Sequence, residues 1–441
     1  MEIKSREFVG KLWLASRLAQ RGHEVLTGRK DDAFTTFDVL EPDVYFELGP
    51  VSRDQRLRRL ERLRDCGTTI LLLDTEGAAL TTEAYHDRVD ADVLELVDHY
   101  LAWGRRSADI AAETNGDTAV TVTGNPRFDL LSPELRTLYR GQAADYRERY
   151  GDYVLVNTSF GVNHHDIDHH REYTQHDDVL FRHQSILLGQ LVSAVGEVSE
   201  RLPDTEFVVR PHPTEEPATY EQLCWPFENV SVESGGDVVP WLYGARAVVH
   251  NSCTTGVEAT LLEKPVIAFD PSDRTDYYRE LPNLLSETAQ TADELVPLLE
   301  AADGQRPLSE LDAAAREALA DQFYNLEGFA ADRIADVVDG VGTADGESFG
   351  SVFRPGPGQR AKRVALRVLG EERYDRYYRK GVGRQFAFES AKFPETSVGE
   401  VQAIIRQFQH VFDNTDFTVS RLPRVENTYR ITASESRDRR T

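Results

Sequence analysis

Lysine, methionine and cysteine are scarce in this chain of 441 residues: it holds one Met, three Cys and, among 50 basic residues, only seven Lys, which leaves 43 Arg. Cys66, Cys224 and Cys253 are too few and too irregularly spaced for a disulfide framework or a zinc ribbon. No apolar run nears the length of a membrane span. The opening MEIKSREFVGKLWLASRL sets charges where a signal peptide needs its apolar centre, so a cytoplasmic protein is expected. Negative charge is abundant instead. With 75 acidic residues and a formal net charge of -25, the chain is too acidic for a general nucleic-acid binder. Acidity with so little Lys fits a surface kept soluble in high salt, where repulsion between carboxylates is screened, as in a halophilic archaeon; an ordinary acidic cytoplasmic protein is the alternative. The length allows two domains and a tail.

The most informative stretch is 245–270, ARAVVHNSCTTGVEATLLEKPVIAFD. It reads as strand, polar turn, helix and strand, a unit that builds a parallel sheet. The turn then sits at the carboxyl end of the first strand, where the free N–H groups of the next helix favour an anion. The hydroxyls of Ser252, Thr254 and Thr255 add to that nest, and a nucleotide phosphate fits it. The alternative is a capping box over 255–258, in which Glu258 only closes the helix start. Upstream, FVVRPHP ends a buried strand at Arg210 and holds His212 between two prolines at the strand's carboxyl end.

Other strand ends carry similar signals. The apolar run 69–73 delivers Asp74-Thr75-Glu76-Gly77, which sets carboxylates where they can reach a cleft or, equally, cap the next helix. The strand at 119–123 ends in Gly124-Asn125-Pro126-Arg127-Phe128-Asp129. That tight turn lets backbone approach a ligand; Arg127 can meet a phosphate or carboxylate, or pair with Asp129 to position the linker. After the strand at 153–157, the loop Thr158-Ser159-Phe160-Gly161 can cradle a phosphate. His164, His165, His169, His170 and His176 crowd 163–178. His165 and His169, with Asp166 or Asp168, have metal-ligand spacing; a polar loop over the site is the other reading. The arginines of a helix at 53–64 read as a solvated face, and Gly28-Arg29-Lys30 as a strand end facing the cleft. Residues 340–358, rich in Gly and Pro, read as a linker, 360–412 as helices with interleaved Arg and Tyr, and 414–441 as poorly ordered.

Six motifs together, ASRLAQRGHEVLTGRK, DTEG, VTGNPRFDLL, TSFGVN, FVVRPHP and HNSCTTGVEA, resemble the surface carbohydrate biosynthesis family of GT-B glycosyltransferases. Its relatives include bacterial sialyl-, polysialyl- and Kdo-transferases and glycerol-phosphate polymerases. The resemblance implies an α/β fold of two Rossmann-like domains facing across a cleft, plus a C-terminal helical tail. The boundaries expected are 1–132 for an acceptor-side domain, 133–152 for a linker helix, 153–339 for a nucleotide-donor domain, 340–358 for a linker and 359–441 for the tail. It implies transfer of a sugar or polyol phosphate from a nucleotide-activated donor, a CMP-sugar among the candidates, to a glycan or lipid-linked acceptor. No bound cofactor or metal and no nucleic acid is implied, and the work would be done at the inner face of the membrane. Glu76 aligns with the general base of an acidic-acidic-Gly motif whose first acidic position is here Thr75; Asp74 stands one residue too early. His212 would stabilise the leaving phosphate with Ser252, Thr254 and the helix start. Arg210, Thr255, Asn125, Arg127 and Ser159 would also line the donor site, with Glu258 on the ribose hydroxyls. The rival readings are a sugar-nucleotide epimerase or hydrolase of the same shape and a non-catalytic scaffold for polysaccharide assembly.

Overall fold

The computed structural model of the chain describes residues 1, 4–29, 42–77, 80–164, 178–272, 280–323, 328–341, 393–412, 415–422 and 427–435. The histidines from 165 to 176, nearly all of the Gly- and Pro-rich stretch and the Arg/Tyr segment up to 392 lie outside them.

Two parallel sheets carry the architecture. The first has the order β2-β3-β4-β5, from Val44–Glu47, Thr69–Leu72, His99–Ala102 and Ala119–Val122. The second takes β6 to β11 from Val154–Asn157, Phe207–Arg210, Val230–Val232, Ala247–His250, Val266–Phe269 and Glu287–Ala289, in the order β11-β10-β9-β6-β7-β8. Strands β6, β7, β9 and β10 are buried on both faces, as continuous runs such as VLVN and VIAF require when helices cover each side of a parallel sheet. The chain lays β7 and β8 on one side of β6 and then returns to lay β9 on the other. Ligands of open α/β sheets bind outside the carboxyl ends of strands at such a reversal, here between β6 and β9.

The helix Lys4–Gln20 is buried nearly all round, because three separate parts of the chain pack on it. The helix Ala330–Gly340 returns from beyond the second sheet, the helix Val398–Gln407 follows it, and a C-terminal strand covers a third side. Trp13 marks the junction: its ring stands 5.2–5.3 Å from those of Phe329, Phe408 and Phe412. Its indole N–H donates to Asp129 Oδ2 at 3.0 Å. Asp129 also accepts from the backbone N–H groups of Ala330 and Ala331 at 2.8 and 2.9 Å, which ties the start of the returning helix to the 124–129 turn.

Three expectations are corrected here. The end of the chain is ordered over 415–422 and 427–435: β12 (Thr415–Arg421) and β13 (Thr428–Glu435) form an antiparallel hairpin, so this part of the tail is strand and not helix. Phe417 and Val419, and Tyr429, Ile431 and Ala433, alternate with polar residues at the two-residue period of a half-buried strand. Strand β1 (Val25–Gly28) pairs antiparallel with β13 instead of joining the first sheet. Gly28 therefore abuts the tail and not the cleft: a Cβ there would lie 2.2 Å from the Asn427 carbonyl oxygen. The arginines of the helix Asp54–Asp65 are not all solvated. Arg56 and Arg59 pair at 3.2 and 2.6 Å with Glu47, a fully buried carboxylate at the end of β2, since a buried charge must be met by another. The three cysteines are buried and form no disulfide, and among the described residues no helix is long and apolar enough to cross a membrane.

Because Ile431 is fully buried beneath the first helix, Ile431→Ala should cost about 2–5 kcal/mol of stability, the range for truncating a core aliphatic. Chemical denaturation of the full chain in high salt measures it; an unchanged midpoint would show that the hairpin does not dock.

Candidate functional site

At the carboxyl end of the second sheet, hydrogen bonds knit four loops into one rim. The Ser159 N–H donates to Asn251 Oδ1 at 2.9 Å, which joins the ends of β6 and β9 at the reversal of strand order. Glu215, 1% exposed, accepts from the Thr158 hydroxyl (2.6 Å), the His212 N–H (2.7 Å), the Tyr220 hydroxyl (2.7 Å) and the Phe160 N–H (3.0 Å). Burial still raises its pKa against those donors. Glu215 thus clamps the loop after β7 to the loop after β6 and fixes His212. The ring Nδ1 of His212 accepts from the Thr214 N–H at 3.3 Å, which puts its proton on Nε2. Sequence reasoning passed over Glu215; the signal was a Thr-Glu-Glu directly behind the two prolines.

The turn after β9 is built around His250. This imidazole is fully buried, and burial holds its pKa down to about 3. Neutral His250 accepts the Cys253 N–H at Nδ1 (3.2 Å) and faces the Ser286 hydroxyl at Nε2 (2.9 Å). Ser286 in turn donates to the Pro282 carbonyl at 2.6 Å, so Nε2 is the donor of that pair. Gly256 is required by contact: a Cβ would lie 2.5 Å from His250 Nε2. Ser252 adopts a left-handed conformation, φ 55°, which few non-glycine residues hold, and its hydroxyl and the Asn283 side-chain amide bond at 2.9 Å.

The helix that follows runs Thr254–Leu261 with Cys253 at its N-cap and no side-chain cap. The capping box does not form. Glu258, one turn in and fully buried, faces Arg127 of the 124–129 turn, with Arg127 Nη2 2.7 Å from Glu258 Oε1. The contact is an ion pair out of hydrogen-bond alignment, so neither carboxylate oxygen has a hydrogen-bond donor. Two more buried polar atoms nearby are unmet, Thr255 Oγ1 and Asn157 Nδ2. Asn157 ends β6 on the face it shares with Leu155, which belongs to the same apolar cluster as Val257 of this helix. A buried donor or acceptor without a partner costs about 1–3 kcal/mol, and several at one strand end call for a ligand or water.

On the first sheet's side, Asp74 is an internal anchor. It is 0% exposed and accepts from Arg88 Nη2 (2.9 Å), Arg88 Nε (3.3 Å) and the Tyr85 hydroxyl (3.2 Å). Glu76, two residues on, is half-exposed and paired with Arg6 of the first helix. Burial would lower the Arg6 pKa, but Glu76 and Glu7 outweigh it and raise it. One turn further, burial brings the Lys11 ammonium down to about 8 against the pull of Glu7 and Asp74. Arg6 and Lys11 carried no sequence signal, because a basic residue on an amphipathic helix reads as solvent-facing.

The two sides meet at a cavity of about 10 Å³, the room of one water, lined by Arg6, Gly10, Arg127, Asp237 and Glu258 among others. Burial pushes the Asp237 carboxyl up to about 6 and neighbouring Glu258 adds to it, although the Val239 N–H bonds it at 3.0 Å. Of the residues the sequence singled out, Arg127 and Glu258 meet here, with Glu76 joined through Arg6. Ser159, His212, Ser252, Thr254 and Thr255 lie on the second sheet's rim. Two are engaged elsewhere. Both Arg210 guanidinium amines donate to the Gly235 and Gly236 carbonyls at 2.8 Å. Asn125 caps its own turn by accepting the Arg127 N–H at 3.0 Å and donates to the Asp74 carbonyl at 3.2 Å. Arg127 pairs with Glu258 and not with Asp129. Among the described residues no group of three His, Cys, Asp or Glu can hold a metal.

His250 gives the site a pH signature. Its folded pKa lies below the ordinary value of 6.5, so the unfolded chain takes the proton first. The stability it contributes is complete above pH 6.5 and falls away toward pH 3, by at most about 1.4 kcal/mol per pH unit. The stability gap between wild type and His250→Gln should therefore shrink between pH 7 and pH 4.5, as denaturation at both values will show; a constant gap would contradict the buried neutral ring.

The sequence matches no protein-family model and no curated protein. Distant likenesses to solved structures exist. UDP-GlcNAc 2-epimerase of Methanocaldococcus jannaschii, in complex with UDP-GlcNAc and UDP, is 13% identical over 70% of this chain and 80% of its own, with a TM-score of 0.45. The wall teichoic acid polymerase TagF is 10% identical over 76% and 97%, with a TM-score of 0.39. HepE of Anabaena, in complex with UDP, is 12% identical over 70% and 81%, also at 0.39. At such distances they assign no reaction, and the description of this chain as α/β with two parallel Rossmann-like sheets stands on its own strand order.

Proposed function

We propose that this protein transfers a sugar, or a polyol phosphate, from a nucleotide-activated donor to a glycan or lipid-linked acceptor of the cell surface. The observation that carries the reading is the set of unmet buried groups, the Glu258 carboxylate, Thr255 Oγ1 and Asn157 Nδ2, around an uncapped helix start at the reversal of the second sheet. A ribose diol would give Glu258 its missing donors, and a phosphate would accept from the helix N–H groups, from Ser252 and Thr254, and from His212 Nε2–H. Stabilising the phosphate as it departs with the electrons of the broken glycosyl or phosphoryl bond is the main electrostatic task of such a site. Glu76, on the opposite side and with its carboxylate half-exposed, takes the proton of the attacking hydroxyl. Arg6 must release it for that step. The acceptor side and any association with the inner membrane face follow from the same reading.

Purified protein incubated with nucleotide sugars, CMP- and UDP-linked donors included, with and without acceptor, is the test. Acceptor-dependent nucleotide release supports transfer, acceptor-independent conversion indicates an epimerase or hydrolase, and binding without turnover a scaffold. Glu76→Gln should fold, bind donor normally and lose turnover by ~10²–10⁴, the range for a general base. Asp74→Asn should instead lower stability, because it leaves Arg88 and Tyr85 partly unmet. A dead, stable Asp74→Asn beside an active Glu76→Gln would overturn the assignment.

A further inference from the structure

Arg127 and Glu258 join the two sides of the cavity, and each is fixed at its backbone. The Arg127 N–H is held by Asn125, and its Cα abuts the first helix so closely that a Cβ on Gly10 would come within 2.9 Å of it. Glu258 is locked in its helix, where its carbonyl accepts the Leu262 N–H at 3.0 Å. Only the side chains can part. They are poorly satisfied together: an ionised carboxylate has about four acceptor sites, and Glu258 has one ionic contact without hydrogen-bond alignment. Neither can be taken alone, because removing one partner of a buried pair leaves an uncompensated charge. A ligand that offers only hydroxyls to Glu258 strands the Arg127 guanidinium, and one that offers only an anion to Arg127 strands Glu258 beside Asp237, a second carboxyl on the same cavity.

We propose that the Arg127–Glu258 pair acts as a two-part lock: it opens to a single molecule that carries both a vicinal diol and a phosphate, and excludes nucleosides and free phosphates. On entry the Arg127–Glu258 contact is exchanged for Glu258 with the diol and Arg127 with the phosphate. This rests on the donor reading above for the identity of the ligand, but the exchange itself concerns only the two side chains. Arg127 is then a specificity-determining residue, which the sequence offered merely as a candidate contact.

The lock predicts effects of opposite sign on partial ligands. Titration calorimetry of the full chain would use uridine and cytidine, their mono- and diphosphates, and inorganic pyrophosphate. Glu258→Gln frees Arg127, so pyrophosphate should bind about tenfold more tightly or better, the scale of a hydrogen bond to a charged group, while the nucleotides weaken. Arg127→Met frees Glu258, so the nucleosides should tighten while the nucleotides weaken. Should Arg127→Met fail to fold, Glu258→Gln with pyrophosphate decides alone. Both variants weakening every probe in parallel, or pyrophosphate binding to Glu258→Gln no better than to wild type, overturns the lock. Wild type that binds nucleotides, beside variants that weaken every probe in parallel, would leave the donor reading standing without the lock; wild type that binds no nucleotide would remove both.

Discussion

Asp129 holds three separated parts of the chain at one carboxylate: Trp13 of the first helix, its own turn after β5, and the first two residues of the helix Ala330–Gly340. Buried at 2% exposure, it has no water to fall back on, so its bonds fix those parts relative to one another. Arg127 is two residues away in the same turn, and its reach to Glu258 is set by where Asp129 anchors that turn. The position of the cavity thus follows from a contact that touches no substrate. The hairpin of β12 and β13 covers a further side of the same first helix, which makes the C-terminal strands part of the support of the site.

The shortage of lysine has a structural counterpart. At the ends of β2 and β3, fully buried carboxylates are met by arginines: Glu47 by Arg56 and Arg59, Asp74 by Arg88. A planar guanidinium can meet two acceptors at once and is more weakly hydrated than an ammonium, so it is the better partner for a buried carboxylate. Arg6 does this at the cleft, facing Glu7 and Glu76 together. The high ratio of Arg to Lys is therefore not only a feature of an acidic surface; it is also how the strand ends keep charge inside.

The sheets were legible where burial is continuous. Runs such as VLVN, FVVR, AVVH and VIAF leave no solvent face, and with a helix between each they can only form a parallel sheet. The HNSCTTGVEA turn was legible as a strand-to-helix connection, but its Glu258 fitted both a cap and a ligand contact, and the structure removes only the cap, since Cys253 is the N-cap and no side chain closes the helix start. What stayed hidden depends on distant pairing. Four residues at 25–28 find their partner at 428–431, and no local pattern announces a neighbour four hundred residues away. Arg210 shows a related limit: it ends β7 as read, but its guanidinium amines donate to the carbonyls of two left-handed glycines, Gly235 and Gly236, a loop shape that composition does not reveal.

The two charged pairs at the cavity are unlike in kind, and the difference bears on what each can do. Glu76 keeps a half-exposed side chain that water can hold, and Arg6, itself largely buried, still faces Glu7 when Glu76 leaves it, so that pair can part without stranding either charge. Glu258 is sealed from water, and parting it from Arg127 is tolerable only if replacement contacts arrive together. A ligand must therefore settle the second pair before it can remain in the cleft, whereas the first can open and close freely. On the proposed function, the two pairs divide the work: the sealed pair decides which donor is held, and the half-exposed carboxylate of Glu76 is left to meet the acceptor hydroxyl as it arrives.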